Sequence, residues 1–121
     1  MKINGFDYFA PLSSFKPKHK RLSETTDFIK VGTYAVINLN NMFPAPMSLC
    51  KQVVIDDITD IHYKNLVRME YRIIRQKTEL ILNNAKAVYE HKMINDGKSK
   101  LSQRCHDFRL LEEKCREYKR K

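Results

Sequence analysis

No run of apolar residues in this chain is long enough to span a membrane or to form the core of a secretory signal. Polar Asn4 and Asp7 fall where a signal's apolar region would begin, so a cytoplasmic location is expected. Glycine is scarce. Gly5, Gly32 and Gly97 stand alone, which excludes a glycine-rich loop that cradles phosphates. The three cysteines, Cys50, Cys105 and Cys115, are odd in number and irregular in spacing, so no disulfide framework is expected. His19, His62, His91 and His106 are scattered, without the convergence that a metal cluster needs, so neither a metal nor a cofactor is expected. Acids are also short: 14 Asp plus Glu stand against 23 Lys plus Arg, a formal net charge of +9. That excess favours nucleic acid or another polyanion as partner over a merely solubilising surface.

What is present suffices for one fold. With 121 residues, 42% of them hydrophobic, the chain has room for one domain with one core. Residues 1–58 read mainly as strand and loop. A strand candidate at 3–12 opens on the turn pair Asn4-Gly5 and runs through Phe6, Tyr8 and Phe9 to Pro11. A second, at 31–39, is rich in β-branched and aromatic residues. Prolines and asparagines make 38–46 a turn-rich segment, and 52–55 reads as a short apolar strand.

Residues 59–121 change period. Apolar residues recur at Leu66, Met69, Ile73, Ile74, Leu80, Ile81, Ala85 and Val88. The spacing predicts one amphipathic helix from 60 to 94. Thr59 or Asp60 would cap it, Glu70 would lie inside it, and Asn95-Asp96-Gly97 would end it. A second helix is expected to present Leu101, Cys105, Phe108, Leu111, Cys115 and Tyr118 on one face. The fold class is therefore α+β, with two C-terminal helices over a small antiparallel sheet.

One stretch concentrates chemistry. Residues 8–20 read Y-F-A-P-L-S-S-F-K-P-K-H-K. Pro11 and Pro17 forbid a helix there, so an exposed loop leaving a strand is expected. Ser13 and Ser14 offer hydroxyls, and Lys16, Lys18, Lys20 and Arg21 follow with His19 among them. That pairing suits a phosphate chain, although loop serines alone are often bystanders. Asn40 and Asn41 read as turn residues whose amides also support a neighbouring loop. Tyr8, Phe15 and Tyr34 are the aromatics suited to base stacking, against the plainer reading of core.

Three segments together resemble the ToxN/AbiQ family, the endoribonuclease toxins of type III toxin–antitoxin systems. They are residues 8–20, then A-V-I-N-L-N-N-M-F-P-A-P at 35–46, then R-C-H-D-F-R-L-L-E-E-K-C at 104–115. The resemblance implies a fold similar to the Kid/MazF-like toxins, in the bacterial cytoplasm. It implies metal-independent, sequence-selective RNA cleavage leaving a 2′,3′-cyclic phosphate, in growth arrest or phage defence. It implies inhibition by a repetitive pseudoknot RNA antitoxin, often in closed assemblies, with cellular or phage RNA as substrate. The family motif A-P-L-[ST]-S-x-K places its catalytic groups on Ser13, Ser14 and Lys16. Lys18, His19, Lys20, Arg21, Asn40 and Asn41 are then the RNA-binding candidates. The family also carries an N-terminal segment that supplies the first strands of the sheet. This chain begins inside a strand by that register, so an open sheet edge near Phe6–Phe9 and self-association through it are expected. Two other readings remain: a cleavage-deficient RNA-binding remnant, and a basic helical interaction protein.

Overall fold

The computed structural model describes residues 1–120, with side chains described through Tyr118. The chain starts with strand β1 (Lys2–Ile3), which turns at Asn4-Gly5 into β2 (Phe6–Phe9). Asn4 and Gly5 take φ of 52° and 78°, the left-handed pair that a two-residue hairpin demands, and Ile3 faces Phe6 across it. The predicted strand at 3–12 does not run through. Pro11 lacks an amide hydrogen, and the ladder breaks at Ala10-Pro11. Beyond it β3 (Leu12–Ser14) joins a different sheet. So Ser13 and Ser14 stand on a strand, not on the expected loop.

A hairpin of β4 (Phe28–Val31) and β5 (Ala35–Asn38) completes that second sheet, ordered β3-β5-β4 and antiparallel. The expected strand at 31–39 is thus two strands. Gly32, at φ 56°, turns the chain between them. The first sheet is β1-β2-β6, where β6 is Phe43–Pro44 inside the turn-rich segment. Strand β2 is therefore paired on both sides and is not the open edge expected near Phe6–Phe9; the edges of the two sheets are β1 and β6, and β3 and β4. Residues 52–55 form no strand. Val53 and Val54 stay exposed without a ladder partner, and a 3-10 turn, Ile55–Asp57, follows.

Among the described residues, four helices follow where two were expected: α1 (Ile61–Gln76), α2 (Thr78–Asn95), α3 (Lys100–Arg104) and α4 (Phe108–Arg120). Asp60 caps α1 by accepting from the Tyr63 N–H at 2.9 Å. The long helix breaks at Lys77. Its ammonium is tied to the Lys30 carbonyl at 2.8 Å and to Glu24 at 3.0 Å, while the Thr78 hydroxyl donates back to Ile74 and Arg75 carbonyls. Those tertiary and local bonds outcompete helix continuity without disturbing apolar periodicity. Between α3 and α4, Asp107 accepts from the Leu110 N–H at 3.2 Å and starts a new helix.

The core gathers Tyr8, Ile29, Val31, Leu39 and Met42 from the sheets with Ala85 and Val88 of α2 and Phe108 of α4. Tyr8 is buried, so it is a core residue and not a base-stacking platform. Its hydroxyl donates to Glu112 at 2.5 Å, and that buried carboxylate also receives the Tyr89 hydroxyl at 2.9 Å and the Asn4 amide at 3.0 Å. Burial, then the Glu112 hydrogen bond, push the Tyr8 hydroxyl far up and that of Tyr89 to about 12. The network ties the first hairpin to the last helix. Cys105 and Cys115 are small buried residues, as expected.

Candidate active site

Strand β3 is an edge. Ser13 pairs with Val36 and Ser14 with Ala35, and the other side of the strand carries no ladder. All three β3 residues are exposed. The strand borders a cavity of about 510 Å³ between β3 and α1. Ser13 and Ser14 line it, with Tyr34 from the β4–β5 turn and Tyr63 and Tyr71 from α1. Val53 and Ile55 close part of it, which accounts for the exposed apolar run before α1.

One acid enters this space. Glu70 lines the same cavity on the apolar face of α1, one turn after Leu66 and one turn before Ile74. It is only 8% exposed, and desolvation raises its pKa. A carboxyl held in that way exchanges protons nearer neutrality than a surface glutamate. Sequence reasoning placed Glu70 inside the helix without a role. The available signal was an acid set into the stripe of Leu66, Met69, Ile73 and Ile74. Tyr63 and Tyr71 were also missed, since exposed helical tyrosines carry no pattern of their own.

Lys16 follows Ser14 by two residues and is exposed. It is not among the cavity's lining residues, and it opens the 3-10 turn Pro17–Lys20. Its backbone N–H donates to His19 Nδ1 at 2.8 Å, and the His19 N–H returns to the Lys16 carbonyl at 2.9 Å. His19, expected among the phosphate-binding groups, is instead buried between Phe15 and Phe28, with ring centroids 5.5 and 5.7 Å away. Its desolvated ring, with Lys18, Lys16 and Lys30 nearby, holds its pKa below the usual value. The imidazole thus fixes the backbone that carries Lys16. Lys18, Lys20 and Arg21 are exposed on or just after the same turn.

The asparagines fall elsewhere. Strand β5 runs antiparallel to β3, so Asn40 and Asn41 lie past the end beside Leu12, whereas Lys16 lies past Ser14. Asn40 donates to the Asn41 side chain at 3.3 Å, and neither lines the cavity. Tyr34 keeps the exposure a stacking ring needs, and Phe15 packs on His19. Among the described residues, no three His, Cys, Asp or Glu side chains converge into a metal-binding group. No helix there is long and apolar enough to cross a membrane.

Residues 1–116 match the family described as toxin ToxN, type III toxin–antitoxin system. The curated relative Endoribonuclease ToxN of Bacillus thuringiensis subsp. kurstaki is 35% identical over 130 residues. The match covers 98% of this chain, which spans 65% of that relative's length. Among solved structures, one concerns a bacterial type III system with selective toxin inhibition by a non-coding RNA pseudoknot. It superposes with a TM-score of 0.78 at 29% identity, over 100% of this chain and 77% of that one. Two more share the fold. A bacterial antiviral system regulated by a processed non-coding RNA gives a TM-score of 0.81 at 24% identity, over 95% and 73% of the two chains. The lactococcal anti-phage endoribonuclease AbiQ gives 0.76 at 22% identity, over 98% and 75%.

Proposed function

Because the chain belongs to the ToxN toxin family of type III toxin–antitoxin systems, we propose that it is an endoribonuclease toxin whose cleavage site is the cavity between β3 and α1. The observation that carries this reading is that Ser13, Ser14 and the desolvated Glu70 share one open cavity, with Lys16 just beyond Ser14.

Those four side chains and one solvent proton suffice for the reaction. The 2′-hydroxyl attacks the adjacent phosphorus, and the bond from phosphorus to the 5′-oxygen breaks. The Glu70 carboxylate takes the proton of the 2′-hydroxyl. The Ser13 and Ser14 hydroxyls donate to the non-bridging phosphate oxygens and orient them in line. The Lys16 ammonium offsets the charge of the phosphorane. The 5′-oxygen leaves with a proton from solvent on the open side. The products are a 2′,3′-cyclic phosphate and a 5′-hydroxyl, and no metal takes part.

The partners proposed with this activity are RNA on both sides. A cellular or phage RNA is the substrate, and a structured pseudoknot RNA is the inhibitor, as in the type III relative inhibited by a non-coding RNA pseudoknot. The basic turn carrying Lys18, Lys20 and Arg21 supports this reading, since it follows the cavity strand directly. The experiment is incubation of the chain with a long messenger RNA in the presence of EDTA, followed by mapping of new ends. Fragments with cyclic phosphate ends, absent with Ser14→Ala, are expected. Intact RNA with the parental chain would sink the nuclease reading.

A further inference from the structure

Helix α1 keeps its cations on one side. Lys64, Arg68, Arg72 and Arg75 are spaced by four, four and three residues, which holds them within about 80° of arc on a helix. Glu70 is the only acid in the helix, and it points into the serine cavity on the other side. Arg68, Arg72 and Arg75, with Tyr71 and Gln76, line a shallow open groove of about 450 Å³. Tyr71 also lines the serine cavity, so groove and cavity meet at one half-exposed ring.

The arginines are little used by the fold. Arg68 meets Asp56 at 3.5 Å, but that acid is itself largely exposed. Among the described residues, Arg72 and Arg75 have no carboxylate partner. Three guanidinium groups in a row fit a regular line of phosphates, each able to take two parallel hydrogen bonds. An exposed tyrosine where that line enters the cavity fits a stacked base. We propose that this groove is the track for the single-stranded RNA flanking the scissile phosphate. Arg68, Arg72 and Arg75 hold successive phosphates, and Tyr71 stacks the base next to the cleaved bond. The proposal rests on the cavity being the cleavage site.

The probe is a fluorescent oligoadenylate, bound across a salt series to the full chain carrying Ser14→Ala so that nothing is cut. Adding Arg72→Gln with Arg75→Gln should flatten the slope of log K against log salt by about 1.4, two contacts at about 0.7 each for single strands. Arg72→Lys with Arg75→Lys should keep the parental slope, because the charges remain. Lys86→Gln with Lys98→Gln removes equal charge from exposed positions outside the groove and should leave the slope unchanged. Tyr71→Ala should weaken binding about fivefold or more with the slope preserved. Both arginines are exposed, so melting should be unchanged. An equal loss of slope in the arginine and lysine pairs would mean diffuse attraction and overturn the track. Salt-dependent binding that ignores the arginine pair would overturn it while leaving the nuclease reading intact. No binding of the oligoadenylate by the chain would also overturn the track, and cleavage of the long messenger RNA tests the nuclease reading separately.

Discussion

The Lys16 backbone N–H donates to His19 Nδ1 at 2.8 Å, and the His19 N–H donates to the Lys16 carbonyl at 2.9 Å. The reciprocal pair works only with an open lone pair on Nδ1, so the imidazole is neutral and carries its proton on Nε2. The turn that carries the proposed catalytic lysine therefore depends on the protonation state of a buried ring.

That dependence has a sign. Burial, then the charges of Lys18, Lys16 and Lys30, lower the His19 pKa from 6.5. As pH falls below 6.5 the unfolded chain takes up this proton before the folded chain does. Folded-state stability is thus lost on acidification until the folded imidazole also titrates. Melting followed from about pH 7.5 to about pH 5 should decline in the parental chain and decline less steeply in His19→Asn. Parallel curves would show that His19 is not the titrating group.

Glu70 has the opposite sign. Desolvation raises its pKa above 4.5, so the folded state disfavours its carboxylate. Its contribution to stability falls as pH rises from 4.5 through the folded value. Glu70→Gln keeps the shape and removes the charge. At neutral pH it should melt higher than the parental chain, while RNA cleavage drops by about 10²–10⁴. A variant that melts lower, or that cleaves at the parental rate, would remove Glu70 from the role of base.

How much of this was legible depended on range along the chain. The Asn4-Gly5 turn, the Asp60 cap, the end of α2 at Asn95 and the buried Cys105 and Cys115 all follow from signals within a few residues. The break at Lys77 does not, because it is set by Glu24 and Lys30, 53 and 47 residues away. The burial of His19 was hidden by its cationic neighbours, which read as one basic cluster, whereas Phe15 and Phe28 enclose the ring. The serines were legible as a motif, but their cavity was not. It exists only because α1 packs beside β3, bringing Glu70 to residues more than 50 positions earlier.

The Tyr8 ring illustrates the same limit and gives a separate test. Its hydroxyl is one of three donors to Glu112, which lies 104 residues away and is 3% exposed. Tyr8→Phe keeps the ring and leaves that carboxylate short of a donor, at a cost of about 1–3 kcal/mol. Melting should fall accordingly, while RNA affinity and cleavage per folded molecule stay unchanged, because Tyr8 does not line the cavity. Lost RNA affinity at parental stability would return Tyr8 to the binding surface.

Lys16 can be separated from the turn that carries it. The bond to His19 uses the Lys16 amide, which alanine retains, so Lys16→Ala should leave melting at neutral pH essentially as it is and should relieve only the Lys16 share of the lowering of the His19 pKa. Only the exposed ammonium is lost. If that group offsets charge on the phosphorane, cleavage should fall by about 10²–10³, the usual cost of one such electrostatic group. RNA affinity should weaken only modestly, since Lys18, Lys20 and Arg21 remain exposed along the same stretch. Single-turnover cleavage and equilibrium binding of the same oligonucleotide distinguish the two effects. A loss confined to binding, with the single-turnover rate intact at saturation, would make Lys16 one more phosphate contact and leave the phosphorane charge to another group.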